Sequence, residues 1–131
     1  MKNSMLRFLV VEDSPSLATL YRTVLESKGH QVIVANNGKE ELEIYENELK
    51  HSSGNVPFDL IISDNSMPEI TGIEAGRKIL SLVPKQKFFF VTGEKEAVLK
   101  SFDVDGKNIN VEQKPLSKDS FIKKVELITL N

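Results

Sequence analysis

Short apolar runs alternate along this chain with segments whose apolar residues recur every three or four positions. Leu6 to Val11 is the first run, stopped by Glu12-Asp13. A continuous apolar run of this length is the pattern of a strand buried on both faces. Ser14 then offers a helix cap with Pro15 at the first helical position, where a missing N–H costs nothing. Leu17, Leu20, Tyr21, Val24 and Leu25 follow at helical spacing, and Gly29 ends that helix. Gln31 to Ala35 reads as a second strand and Asn36-Asn37-Gly38 as a turn. The next helix carries Leu42, Tyr45 and Leu49 on one face, with its acids expected elsewhere. His51 to Asn55 is loop-like in composition. Phe58 to Ser63 is a third strand, and a third helix shows Ile73, Gly76, Leu80 and Val83 before Pro84. Phe88 to Val91 is a fourth strand, Glu94 to Phe102 a short helix, and Asp103 to Asn108 a loop. Ile109 to Gln113 is a fifth strand, and Ser117 caps a last helix with Phe121, Val125 and Ile128 inward.

Five strands alternating with five helices predict an α/β fold: a parallel sheet covered on both faces. Right-handed crossovers make it an open, doubly wound sheet, and such sheets bind ligands beyond the carboxyl ends of their strands. The residues with chemistry fall at that edge. Glu12-Asp13 follows the first strand, Asp64 with Met67-Pro68 the third, Thr92-Gly93 the fourth and Lys114-Pro115 the fifth.

Each of these has a plain structural reading. Asp64-Asn65 suits a turn, Asp13 or Ser14 suits a helix cap, threonine is common in strands, and Lys114 suits a solvated surface. Brought together, they suit phosphoryl chemistry. A carboxylate at Asp64 can attack phosphorus to form an acyl phosphate. Asp59 is the competing acid, but it starts its strand and belongs at the opposite edge. Three neighbouring carboxylates repel, and Mg²⁺ removes that problem because it takes oxygen ligands and keeps several waters. Asp13 and Asp64 are the expected direct ligands, the longer Glu12 is expected to act through water, and the Ser66 backbone carbonyl can supply a further oxygen. The Thr92 hydroxyl can donate to a phosphoryl oxygen, Gly93 allows its close approach, and Lys114 supplies a compact positive charge.

Composition narrows the field. A length of 131 residues predicts one domain, spanning 1–131 with its core in about 6–128 and no room for an output domain. Seventeen basic residues against nineteen acidic ones give a net charge of -2, which recommends neither nucleic acid nor an anionic membrane as partner. The absence of cysteine excludes disulfides, thiolate metal sites and cysteine nucleophiles. The N-terminal apolar run is too short for a signal peptide or membrane span, so a cytoplasmic location is expected.

With these residues in place, the chain resembles the receiver domain of two-component response regulators, the family of the chemotaxis regulator. Leu9-Val10-Val11-Glu12-Asp13 matches the acidic pair after the first strand, and Asp64 through Pro68 followed by Thr71-Gly72 resembles the phosphoacceptor loop. Thr92-Gly93 and Lys114-Pro115 occupy the two remaining places of the pattern. The resemblance implies the strand order 2-1-3-4-5. It implies a single-domain response regulator, not a turnover enzyme. Asp64 would take a phosphoryl group from a sensor histidine kinase or phosphotransfer domain, with Mg²⁺ and Lys114 offsetting charge and Thr92 engaging the product. Signalling would then proceed by protein contact or by passing the phosphoryl group onward. Ser66 and Glu94 would border the path of the hydrolysing water.

Two departures stand out. Val111 occupies the place where the family usually carries an aromatic residue, and Asn110, Glu112 and Gln113 make the fifth strand polar. The expected aromatic switch is therefore absent, and the usual output face is expected to be altered. An interaction module that kept the fold and lost the switch is one alternative, disfavoured by the complete Asp13, Asp64, Thr92 and Lys114 set. A flavodoxin-like cofactor binder is another, disfavoured because Glu12-Asp13 would repel a flavin phosphate. A receiver cut from a longer hybrid kinase or regulator is a third.

Overall fold

The computed structural model of the chain describes residues 5–102 and 108–130. The predicted loop at Asp103 to Asn108, including the helix-poor Asp103 to Gly106, therefore lies outside the described residues apart from Asn108. Among the described residues, five strands and five helices alternate as expected: β1 Arg7–Val11, α1 Pro15–Ser27, β2 Gln31–Ala35, α2 Gly38–Lys50, β3 Leu60–Ser63, α3 Gly72–Leu82, β4 Phe88–Thr92, α4 Lys95–Ser101, β5 Ile109–Gln113 and α5 Lys118–Thr129. All strand pairs are parallel, in the order β2-β1-β3-β4-β5.

Local chemistry sets the element ends. The Ser14 hydroxyl accepts the Leu17 N–H at 3.4 Å, the Asn37 side chain accepts Glu40 N–H at 2.8 Å, and the Ser117 hydroxyl accepts Ser120 N–H at 3.1 Å. Thr71 and Glu74 form a reciprocal cap at the start of α3. Gly29 closes α1 at a φ of 90°, a backbone conformation that costs glycine little. β3 begins two residues later than the apolar run suggests. Asp59 is the reason: its carboxylate accepts the Arg7 N–H at 2.8 Å, so a side chain stands where a ladder carbonyl would.

The sheet is buried on both faces. Phe88, Phe89 and Phe90 alternate across it, as successive strand residues must. Phe88 and Phe90 join Leu9, Val11, Tyr45, Ile61, Ile79 and Val98 under α2, α3 and α4. Phe89 joins Phe8, Val10, Tyr21, Leu25, Phe121 and Val125 under α1 and α5. Each such phenylalanine contributes about 1.5–3 kcal/mol by leaving water.

The chain reverses direction across the sheet after β2, so β1 and β3 flank the switch point. In register, Val11 stands level with Ala35 and Ser63, which sets Glu12 beside Asp64 just past the strand ends. Two glycines let the chain close up around this edge. A Cβ on Gly72 would collide with the Asp64 carbonyl oxygen, and one on Gly38 with the Ile70 carbonyl oxygen. Main chain thus pins the β3–α3 loop from two sides.

One expectation about α2 is corrected. Its acids are not all on the outer face, because Glu41 is fully buried. Glu41 lies one turn before Tyr45, on the same stripe that faces the sheet.

Candidate functional site

The site is built from the carboxyl ends of β1, β3, β4 and β5. Glu12, Asp13 and Asp64 each offer an oxygen within 4.8 Å of the others. Glu12 and Asp64 are only 2% and 5% exposed, while Asp13 is open to solvent. Lys114 reaches in from the end of β5. Its Nζ donates to Glu12 Oε1 at 3.0 Å and to Asp64 Oδ2 at 3.1 Å. The other Glu12 oxygen accepts the Ser14 N–H at 3.1 Å. Asp64 Oδ1 accepts the N–H of Asn65 at 2.6 Å and of Ser66 at 3.4 Å. The Lys114-Pro115 peptide is cis.

Burial is the largest influence on Glu12 and pushes its carboxyl above the ordinary value. The Ser14 N–H and the Lys114 ammonium oppose that rise, and the neighbouring Asp64 adds to it. For Lys114, burial favours the neutral amine, but the hydrogen bonds it donates to Glu12 and Asp64 outweigh that and hold the ammonium above its usual range. The two partners thus both shift upward. An ion pair alone would push them apart, so desolvation wins at Glu12, the more buried partner, and pairing wins at Lys114.

Three carboxylates with no sulfur or nitrogen donor fit a hard divalent cation, and the exposed Asp13 leaves a wet side where such an ion keeps its waters. Of the residues predicted for the site, the structure brings Glu12, Asp13, Asp64 and Lys114 together. Ser66 adjoins them through its N–H. Thr92 is fully buried at the end of β4, one step further along the sheet, and its hydroxyl oxygen accepts the Glu94 N–H at 3.0 Å. Asp59 stays at the opposite edge, bonded to Arg7. Val111 is buried in the core, so no exposed side chain stands there to swing.

Two residues were missed by the sequence reading. Asn65 is more than a turn former. Its Nδ2 donates to Glu94 Oε1 at 2.6 Å, its Oδ1 accepts the Ile73 N–H at 2.9 Å, and its carbonyl accepts the Gly72 N–H at 3.2 Å. It ties the loop after β3 to the loop after β4 and to the start of α3. Gln113 bonds the β4–α4 turn through both ends of its amide. Their partners lie 29 and about 20 residues away, beyond the reach of any local pattern.

The response regulator receiver domain family matches residues 8–126. The chain belongs to that family. A response regulator receiver protein, CpdR, from Brucella abortus is 28% identical over 122 residues, covering 93% of this chain and 95% of its relative. The response regulator TrrA of Thermotoga maritima, solved in complex with Mg²⁺ and BeF, is 28% identical with a TM-score of 0.71, covering 95% of this chain and 99% of that one. A CheY-like receiver domain from Methanospirillum hungatei is 27% identical with a TM-score of 0.77, covering 95% and 93%. As a receiver domain, the protein acts in two-component signal transduction. Among the described residues, no helix is long and apolar enough to cross a membrane.

Proposed function

We propose that Asp64 is the phosphoacceptor of this receiver domain, with Lys114 and Thr92 assisting and Glu12, Asp13, Asp64 and the Ser66 carbonyl holding Mg²⁺. The carrying observation is the position of Asp64. It is nearly buried, belongs to the three-carboxylate cluster and meets Lys114 at 3.1 Å. Asp59, by contrast, is committed to a backbone N–H at the far edge.

In the proposed reaction a phosphohistidine of a sensor kinase or phosphotransfer domain is the donor. An Asp64 carboxylate oxygen attacks phosphorus, the new O–P bond forms, and the N–P bond to the histidine breaks with its electron pair returning to the imidazole. Such transfer depends on positioning and electrostatic stabilisation. Asp64 Oδ1 is fixed by the Asn65 and Ser66 amides, which aims the carboxylate. Lys114 already lies between Asp64 and Glu12 and can pass one hydrogen bond from a carboxylate to a phosphoryl oxygen with little movement. Thr92 keeps its hydroxyl proton free to donate, because its oxygen serves as acceptor to Glu94. Mg²⁺, when bound, neutralises charge on the transferring group. Asn65 holds the Glu94 carboxylate, and in this reading Glu94 would order or repel a hydrolysing water.

The domain is therefore a phosphoacceptor that assists its own phosphorylation and dephosphorylation. One charge-assisted contact is worth roughly 1.5–3 kcal/mol, whereas a full two-state switch needs about 5.5 kcal/mol. Thr92 alone cannot supply that, so the phosphoryl group, metal and loop repacking share it. Because Val111 has one side-chain torsion and lies buried, the response concentrates in the loops at the active edge and at Ser14 to Leu17, not along residues 109–113.

The test is incubation with acetyl phosphate and Mg²⁺. One phosphoryl group should be added by mass, Asp64→Asn should prevent it, and Asp59→Asn should not. Equal labelling of Asp64→Asn would sink the assignment.

A further inference from the structure

α4 begins without a cap of its own. Glu94 stands at the capping position, yet its side chain makes no capping hydrogen bond, because Asn65 holds its carboxylate. A helix start leaves backbone N–H groups without partners inside the helix. Here one of them, on Lys95, donates to Gln113 Oε1 at 3.3 Å. The same Gln113 amide donates through Nε2 to the Gly93 carbonyl at 3.0 Å. Gln113 sits level with Thr92 in the β4–β5 ladder, and the next residue, Lys114, donates its N–H to the Thr92 carbonyl at 2.8 Å. The turn that carries Thr92 is therefore held group by group. The Thr92 carbonyl, the Gly93 carbonyl and the Lys95 N–H all end on residues 113–114, and the Glu94 N–H ends on the Thr92 hydroxyl.

An exposed strand-end glutamine is ordinarily a solvated side chain. This one differs because both halves of its amide go to the same four-residue turn, from opposite ends. A methylene chain carrying only a donor or only an acceptor could not do both. The Asn65–Glu94 bond fastens the turn from the β3 side and Gln113 fastens it from the β5 side.

We propose that Gln113 is a positioning residue of the phosphoryl site: its amide caps α4 in place of Glu94 and fixes the Thr92–Lys95 turn, so that the Thr92 hydroxyl is held ready for a phosphoryl oxygen on Asp64. This rests on the reading of Asp64 and Thr92 above. Gln113 touches no reacting atom and acts only through the turn. It also assigns a task to a polar β5 residue that breaks the apolar pattern of its strand.

The decisive experiment is a double-mutant cycle on binding of the phosphoryl mimic beryllofluoride with Mg²⁺, read by amide NMR or fluorescence-free calorimetry. Gln113→Met keeps the bulk of the side chain and removes both hydrogen bonds. It should weaken mimic binding about three- to tenfold, the effect of losing one or two neutral hydrogen bonds. Thr92→Ala should weaken it about tenfold or more, as expected for a contact to a charged group. In the Thr92→Ala background, Gln113→Met should have no further effect, because the hydroxyl it positions is gone. Equal effects of Gln113→Met in both backgrounds would mean a general structural role and would overturn the proposal, as would wild-type binding by Gln113→Met. Asp64→Asn separates the two layers. If it still binds the mimic, the phosphoacceptor reading has failed; if it does not and Gln113→Met binds normally, only the positioning role has failed.

Discussion

Glu12 and Glu41 are the same side chain with nearly the same exposure, 2% and 0%, but Glu12 lies at the sheet edge and Glu41 inside, in very different company. Each Glu12 oxygen has a partner, one from the Lys114 ammonium and one from the Ser14 amide. Among the described residues, neither Glu41 oxygen has a hydrogen-bond partner. Burial pushes both carboxyls upward, but only Glu41 is driven to about 8, with burial as the sole cause. Near neutral pH Glu41 is therefore held mainly as the uncharged acid, whereas the partners of Glu12 favour its charged form. Depth sets the desolvation cost, and partners decide how much of it is offset. At the sheet edge partners offset part of that cost, while on α2 nothing among the described residues does.

Removing the partner at the sheet edge should have the largest effect. Lys114→Met leaves two buried carboxylates without their cation, and breaking a buried pair costs about 3–5 kcal/mol. Lys114 is partly exposed, so the lower end applies. Urea unfolding in chelator should show the loss, and added Mg²⁺ should reduce it by supplying another cation. Unchanged stability in chelator would erase the contrast between the two glutamates.

Within the edge itself, Asp13→Asn should weaken Mg²⁺ binding more than Glu12→Gln. A residue acting through a water typically accounts for about 10–100-fold in metal affinity. Titration of both variants gives the order. A larger loss in Glu12→Gln would reverse the inner and outer assignments.

On the other side of the comparison, Glu41→Met should stabilise the protein by about 1–3 kcal/mol at neutral pH, the cost of a buried polar group left unbonded. The pH dependence has a definite sign. The Glu41 carboxyl ionises near 4.5 when unfolded and near 8 when folded, so between those values the folded state holds more protons. Stability from this group is complete below about 4.5 and is lost as pH rises through about 8. Glu41→Met should remove that slope. Denaturation at a series of pH values would settle it, and a wild-type curve no steeper than the variant's would show that Glu41 finds a partner after all.

The smallest effect belongs to a carboxylate in water. Arg22 and Glu26 pair at 3.2 Å on the exposed face of α1. Glu26→Gln should cost no more than about 0.3–0.5 kcal/mol, and less in high salt.

The parts of the fold that repeat locally were legible in the sequence. Apolar runs located all five strands, and Ser14, Gly29 and Ser117 marked helix ends because capping acts across three or four residues. The carboxylate cluster and Lys114 were legible for a topological reason: parallel strands deliver their ends to one edge. On α2, charge alone predicts an outward Glu41, whereas its spacing from Tyr45 puts it on the buried stripe. Asn65–Glu94 and the Gln113 contacts were hidden because each joins loops distant in sequence, and an amide gives no sign of which backbone it will meet. The start of β3 was misplaced because Asp59 lends its side chain to the ladder.

The close approaches at Gly38 and Gly72 bear on how freely this sequence can drift. At both positions a single added methyl group would strike a carbonyl oxygen of the main chain, and a backbone atom cannot turn aside as a flexible side chain can. At Gly54 an added Cβ meets nothing, and its objection to other residues comes from backbone conformation alone. A saturation library should therefore grade the three glycines. Alanine at Gly54 should survive selection for folded protein, while alanine at Gly38 or Gly72 should be depleted, with Gly72 also losing the phosphorylation proposed at Asp64, whose main-chain oxygen it would strike. At these two positions the main chain leaves no room for any side chain at all.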